Sequence, residues 1–327
     1  MMQPTTQPTV PGATREALPG TAPQTAPETV PETGPGALPE TAQETAPGIV
    51  AGYDGSAQSR AAVEWAAAEA GRRGAELTVF RAWPWLGLND PEAEESLDPA
   101  HSAELAELES LAVDLTSRHP SLVVFTRTGA GDPADALVAV AEHYDLVVLG
   151  SHGPGGLSGM LAGSVALAVA ARAGRPVVLV REGTAPTPAG APEVVVGLAG
   201  EESAAAVDFA LEGAGRLGGR VRAVHGWDMV PLWSAVPGWV PPITDTEVQD
   251  TALREELSRV TAGLAAAHPD VELTVETALG GAGRAVLEAA DSAALVVVGR
   301  PGHHLGPVAH AAVKHCLAPV AIVPHGA

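Results

Sequence analysis

The stretch "LGSHGPGGLSGMLAGS" (residues 149–164) sets six glycines between the apolar runs "YDLVVL" and "VALAVAARAGRPVVLV". Glycines placed where a strand hands over to a helix suit the binding of an anion. Gly150 ends the first run and leaves room for a ligand to lie on the backbone, and Gly153 allows a turn with positive φ. Gly163 and Ser164 open the next helix, where unpaired N–H groups and the helix dipole attract negative charge. The Ser164 hydroxyl can donate one more hydrogen bond. There is no G-x-x-x-x-G-K-[ST] sequence, and the one lysine of the chain is Lys314, in the other half. Phosphates would therefore rest on backbone donors, each hydrogen bond to a charged group contributing about 1.5–3 kcal/mol. Asp54, in "GYDGS", is either the turn and cap residue of its own loop or a carboxylate facing the same crevice. His152 either offers a ring N–H to a phosphate or points to solvent.

These residues can meet only if the elements around them form a parallel sheet. From residue 48 short apolar runs alternate with helical spacing. "GIVAGYDG" is followed by the helical "SAQSRAAVEWAAAEAGRRG", which ends on Gly. "AELTVFRAW", "SLVVFTRTG", "DLVVLG" and "PVVLV" read as further strands. Helices are expected over "PAHSAELAELESLAVDLTSRHP" and "DPADALVAVAEHY", and from about Ser164. Asp132 is the expected N-cap of the second of these, with Pro133 at its first position. Strict β–α alternation with short connections predicts parallel strands covered on both faces. Ligands of such sheets sit beyond strand ends where the winding reverses, here between the first and fourth strands.

The series then restarts. "EVVVGLAGEESAAAVDFALEGAGRLGGRVRAVHGW" parallels "GIVAGYDGSAQSRAAVEWAAAEAGRRGAELTVFRAW", so Gly197 matches Gly52, Phe209 matches Trp65 and Trp227 matches Trp83. "ALVVVGRPG" matches "DLVVLGSHG", and "GPVAHAAVKHCLAPVAIV" matches "GSVALAVAARAGRPVVLV". The chain is a tandem duplication. Residues 1–46, a Pro/Thr/Glu/Gly mixture with recurring "PET" units, are expected to be a disordered acidic tail serving solubility and spacing or a partner. Residues 47–182 form the first expected domain, 183–191 a linker and 192–327 the second domain.

Composition limits the function further. A net charge of −21 over 327 residues repels a nucleic-acid backbone or an anionic membrane, so neither is an expected partner. The single Cys316 excludes an internal disulfide. "MMQPTTQPTV" lacks the basic start and apolar stretch of a signal peptide, and Arg172, Arg175 and Pro176 break the longest apolar run. A cytoplasmic protein is expected.

The spacing Gly150-x2-Gly153-x9-Gly163-Ser164, with "GYDGS" after the first strand, resembles the nucleotide-binding members of the universal stress protein family. The resemblance spans about 47–182 and 192–325. It implies two Rossmann-like (adenine nucleotide alpha-hydrolase-like) α/β domains, each a five-stranded parallel sheet with helices on both faces. It also implies ATP, with Mg2+, as the ligand. On that resemblance Asp54 lies near the ribose and the backbone of Ala82 reads the adenine edge. Gly150, His152, Gly153, Gly163, Ser164 and Val165 wrap the phosphates. Two such domains pack about a pseudo-twofold axis through their last strands, so "RPVVLV" and "APVAIV" are expected to pair within the chain as an intrachain pseudo-dimer. Whether chains then pair as a homodimer, and which protein partner they meet, stays open.

The second copy departs from this pattern. Ala199 replaces Asp54, three residues rather than nine separate Gly302 from Gly306, and Pro307 replaces the serine. Proline has neither hydroxyl nor N–H. The second half is therefore expected to bind no nucleotide. His303, His304, His310 and His315 are spaced poorly for a metal and read as solvated or capping residues. Cys316 reads as a small core residue. No acid–base pair and no arginine lie in the first loop, so hydrolysis is expected to be slow at most. A chain that binds protein partners with its loop empty is the other reading. "WDMVPLWSAVPGWVPP" (227–242) is either a lid or docking surface, or a loop covering the core.

Overall fold

Runs such as Val50–Ala51 and Val147–Leu149 carry apolar side chains at successive positions, so their strands must be covered on both faces. A computed structural model of the chain describes residues 48–83, 99–151, 163–183, 191–228 and 246–325. The expected tail, His152, Gly153, most of the linker and residues 229–242 of the Trp-rich stretch lie outside the described residues.

The first half runs β1 (Gly48–Gly52), α1 (Ala57–Arg73), β2 (Glu76–Trp83), α2 (Pro99–Arg118), β3 (Val124–Ala130), α3 (Pro133–Ala141), β4 (Leu146–Gly150), α4 (Ser164–Arg172) and β5 (Val177–Val180). The second half repeats it as β6 (Glu193–Gly197), α5 (Ala204–Leu217), β7 (Arg220–Trp227), α6 (Thr246–Ala267), β8 (Leu273–Leu279), α7 (Ala282–Ala289), β9 (Leu295–Arg300), α8 (Pro307–His315) and β10 (Val320–Pro324). Local signals set the helix ends. Ser56 caps α1 by accepting from Ser59 N at 3.1 Å, and Gly74 ends it in the left-handed region at φ 63°. Asp132 caps α3 as expected, accepting from Ala134 N and Asp135 N at 2.9 and 3.1 Å, with Pro133 in the first turn.

The strands join in one ten-stranded sheet, ordered β3-β2-β1-β4-β5-β10-β9-β6-β7-β8. Within each half all pairs are parallel, and β1 lies between β2 and β4. The two last strands pair antiparallel, Val177 opposite Ile322 and Leu179 opposite Val320. This seam makes the two five-stranded sheets continuous, and it reverses the strand direction from one half to the other. The carboxyl ends of the first-half strands therefore lie at the opposite edge of the sheet from those of the second half.

Alternation along each strand fills two cores. Ile49, Ala51, Val178, Val194, Val196 and Ala321 pack on one face with residues of α1, α2, α5 and α6. Val50, Val177, Leu179, Val195, Val320 and Ile322 pack on the other with α3, α4, α7 and α8. Both cores cross the seam. Fully burying each Val or Leu contributes about 1.5–3 kcal/mol, so each core binds the halves to each other. Cys316 sits in the second core, 3% exposed, with burial pushing its thiol up to about 11.

Two arginines also reach across the seam. Arg181, just past β5, donates to the carbonyls of Val313 and Lys314 at 2.8 and 2.7 Å, at the last turn of α8. Arg300, 2% exposed at the end of β9, donates to Ala171 O at 2.7 Å and Ala173 O at 2.5 Å, at the last turn of α4. Helix C-termini present unpaired carbonyls and a negative dipole end, which suits the cations placed there.

Candidate functional site

The winding reverses between β1 and β4, so the expected crevice would lie between the loops that follow them, of which residues 152–162 fall outside the described residues. The β1–α1 turn is fixed by short hydroxyl side chains. Ser59 Oγ donates to Ser56 O at 3.0 Å and accepts from Asp54 N at 3.3 Å. Asp54 is exposed, and its Oδ1 accepts from Ser56 N at 3.0 Å. Asp54 therefore shapes the turn while Ser56 is the helix cap, which leaves its carboxylate on the rim.

Ala82 presents its main chain to the same space. Tyr53 N donates to Phe80 O at 2.8 Å, so Phe80 faces β1. Strand groups alternate sides with period two, and Ala82 thus points the same way. Its pairing with β1 is over, because the last β1–β2 partners are Gly52 and Phe80. Trp83 O, on the alternate side, accepts from Gly131 N at 3.0 Å on the β3 edge. By this alternation the N–H and C=O of Ala82 point to the β1 side, and among the described residues no backbone partner meets them there.

The glycine loop has pinned ends. Gly163 N donates to Ser151 O at 2.6 Å, and Ser151 N donates to Val180 O at 2.8 Å. Gly163 is the N-cap of α4 and supplies no side-chain cap. Ser164 is exposed and Val165 half-buried in the first turn, whose N–H groups have no helical acceptor. A Cβ on Gly150 would lie 2.8 Å from Gln58 C and 2.9 Å from Ser59 N, so the space beside it is filled by the first turn of α1. The bare backbone of Gly150 lets that helix approach.

A charged cluster beside the crevice went unforeseen. Tyr53, 3% exposed, donates its hydroxyl to Glu107 Oε1 at 2.7 Å. Arg60 pairs with the same carboxylate. Arg81 lies 2.7 Å from Glu104 Oε2 and 3.7 Å from Glu107 Oε2, with its guanidinium 5.8 Å from the Tyr53 ring centre and 5.2 Å from that of Trp83. Burial, and then the bond to Glu107, push the Tyr53 hydroxyl up to about 12. The signal in the sequence was Arg81 itself, a charge within the otherwise apolar "VFRAW".

The second-half crevice keeps the turn and loses the ligand groups. Ala199 N donates to Ser203 Oγ at 2.9 Å, the counterpart of the bond at Asp54, but no carboxylate is present at Ala199. Gly226 occupies the place of Ala82, and even a Cβ there would lie 2.5 Å from Ala282 N. The start of α7 is thus laid directly on the end of β7. Gly302, aligned with Gly153, turns with φ 62°. Pro307 then follows the Gly306 cap at the start of α8. Arg300 stands where the first half has Ser151, and it also donates to Gly302 O. Among the described residues no three His, Cys, Asp or Glu side chains gather as a metal site, and no helix is long and apolar enough to cross a membrane.

Comparison with known proteins matches both halves. The family model "Universal stress protein family" covers residues 48–181 and 192–324. The universal stress protein Rv2005c of Mycobacterium tuberculosis (strain ATCC 25618 / H37Rv) is 31% identical over 298 residues, spanning 84% of this chain and 96% of that one. A solved universal stress protein from Archaeoglobus fulgidus DSM 4304 superposes with a TM-score of 0.63 at 17% identity, covering 85% of this chain and 98% of its own. A putative universal stress protein from Pseudomonas aeruginosa UCBPP-PA14 gives 0.57 at 17% identity, covering 85% of this chain and 93% of its own. These two likenesses concern the fold.

Proposed function

This chain belongs to the universal stress protein family, and from that premise we propose that its first half alone binds an adenine nucleotide, ATP with Mg2+. The chain would then act as a nucleotide-responsive module in stress response or signalling in the cytoplasm. The reading is carried by one contrast: the α4 start offers the N–H groups of Ser164 and Val165 behind its Gly163 cap, where the α8 start has Pro307, which has no N–H, behind its Gly306 cap.

In this reading the open N–H and C=O of Ala82 meet the donor and acceptor on the adenine edge. Asp54, on the rim, accepts from ribose hydroxyls. The first turn of α4 donates to the phosphates, with His152 and Gly153 contributing from the loop. Mg2+, which favours oxygen ligands and retained waters, supplies positive charge to a triphosphate held by so acidic a protein. The second-half crevice does not fit the same ligand. Its base-reading edge lies under α7, and Ala199 and Pro307 lack the acceptor and the donors.

The test uses the full chain. Protein purified without added nucleotide is denatured, and the released small molecules are identified by mass spectrometry. An adenine nucleotide is expected from the wild type and none from Ser164→Pro. Proline is well tolerated at the first position of a helix, so this variant removes a hydroxyl and an N–H without breaking α4. Nucleotide in equal amount from both proteins, or from neither, contradicts the reading.

A further inference from the structure

We propose that the seam between the halves holds a small monovalent anion, of carboxylate or halide size, in the cavity between α1 and α5. This site is separate from the nucleotide crevice and does not depend on it. The cavity is small, about 10 Å3 and partly open to solvent, and is lined by Trp65, Glu69, Arg72, Arg73, Phe209 and Arg216 among others.

The pseudo-symmetry of the chain shows what is missing there. Trp65 pairs with Phe209 and Arg72 with Arg216, but the partner of Glu69 is Gly213. Glu69, 5% exposed, must then serve three guanidinium groups. Its oxygens lie 2.9 Å from Arg72 Nε, 2.7 Å from Arg73 Nε and 3.2 Å from Arg216 Nε. The other nearby carboxylate, Glu212, has its side chain 47% exposed and reaches only Arg216 Nη1, at 3.3 Å. Three cations thus face one buried and one solvated anion.

The shortfall falls on Arg216. Its Nε and Nη2 are buried and donate no hydrogen bond among the described residues, the contact with Glu69 being close but misaligned. Buried charged donors left without an acceptor are costly, and a negative ion beside them is favoured. Space is present as well. A Cβ on Gly213 would meet only Leu295 Cδ2, at an ordinary 3.8 Å. The apolar walls of Trp65 and Phe209 and the narrow gap suit an ion with little hydration to lose rather than a polyphosphate. Such an ion would bridge the last turn of α1 to that of α5 and so join the halves on this face.

The test is thermal melting of the full chain at constant ionic strength, with sodium gluconate exchanged stepwise for sodium chloride. The wild type is expected to gain saturably, by about 2–4 °C for each kcal/mol of binding free energy. Gly213→Glu, which supplies the carboxylate from within, should melt above Gly213→Ala in gluconate and lose the chloride response. Gly213→Ala controls for helix propensity and should keep it. Arg216→Gln should lose it. A bromide-soaked crystal should show an anomalous peak within hydrogen-bonding reach of Arg216 Nε. Melting indifferent to chloride, an equal response in Arg216→Gln, or a water alone at that position overturns the proposal.

Discussion

Tyr53 and Asp54 leave β1 side by side and meet opposite environments. Tyr53 turns into the core and gives its proton to a hydrogen bond with Glu107, while Asp54 stays exposed on the crevice rim. Burial and the neighbouring carboxylate disfavour the phenolate, which moves the hydroxyl from 10.0 to about 12. A group whose folded pKa is raised contributes stability that is complete below its unfolded value and lost above it. The contribution of Tyr53 should therefore be intact below pH 10 and vanish as pH rises towards 12. Ultraviolet titration of phenolate absorbance tests this. The wild type should show a component near 12 that is absent from Tyr53→Phe. If the component removed by that substitution titrates near 10 in folded protein, the environment described here is wrong.

At the scale of elements, α4 and α8 are each held at the far end by an arginine from the opposite half. The two arginines are not symmetry mates. Arg181 follows β5, whereas Arg300 ends β9 at the place where the first half has Ser151. The loop that would cradle phosphate in the second half has become a clamp on the helix whose other end opens the first-half crevice. Arg300→Met should cost about 2 kcal/mol or more, since it removes hydrogen bonds from a charged group and leaves Ala171 O and Ala173 O unpaired. The measurement is a urea midpoint shift at unchanged slope. A cost below about 0.5 kcal/mol would mean that the clamp carries no weight.

Much of this element architecture could be read from the residues. Asp132-Pro133 announced the start of α3, and Gly74 and Gly218 stopped the matching helices α1 and α5. The repeat of "VVLG" as "VVVG" located the matching strands. Other features depend on contacts between distant segments. Gly150 gives no sign in the sequence that its bare backbone also admits the first turn of α1. Arg300 follows the apolar "VVVG" with no local sign of burial and lies 2% exposed, because the acceptors that hold it are 127 and 129 residues away. Gly226 carries no local sign that α7 will rest on it.

At the scale of the whole molecule, the antiparallel seam between β5 and β10 turns two equivalent folds into one asymmetric body. The two crevices face opposite edges of the sheet, so neither can complete the other. Whatever each binds is decided by its own residues. Asp54, Ala82, Gly163 and Ser164 stand at one edge, and Ala199, Gly226, Gly306 and Pro307 at the other. Protein stripped of bound nucleotide and titrated calorimetrically with Mg-ATP should saturate at one nucleotide per chain. Saturation at two per chain, or no binding at all, would contradict the account.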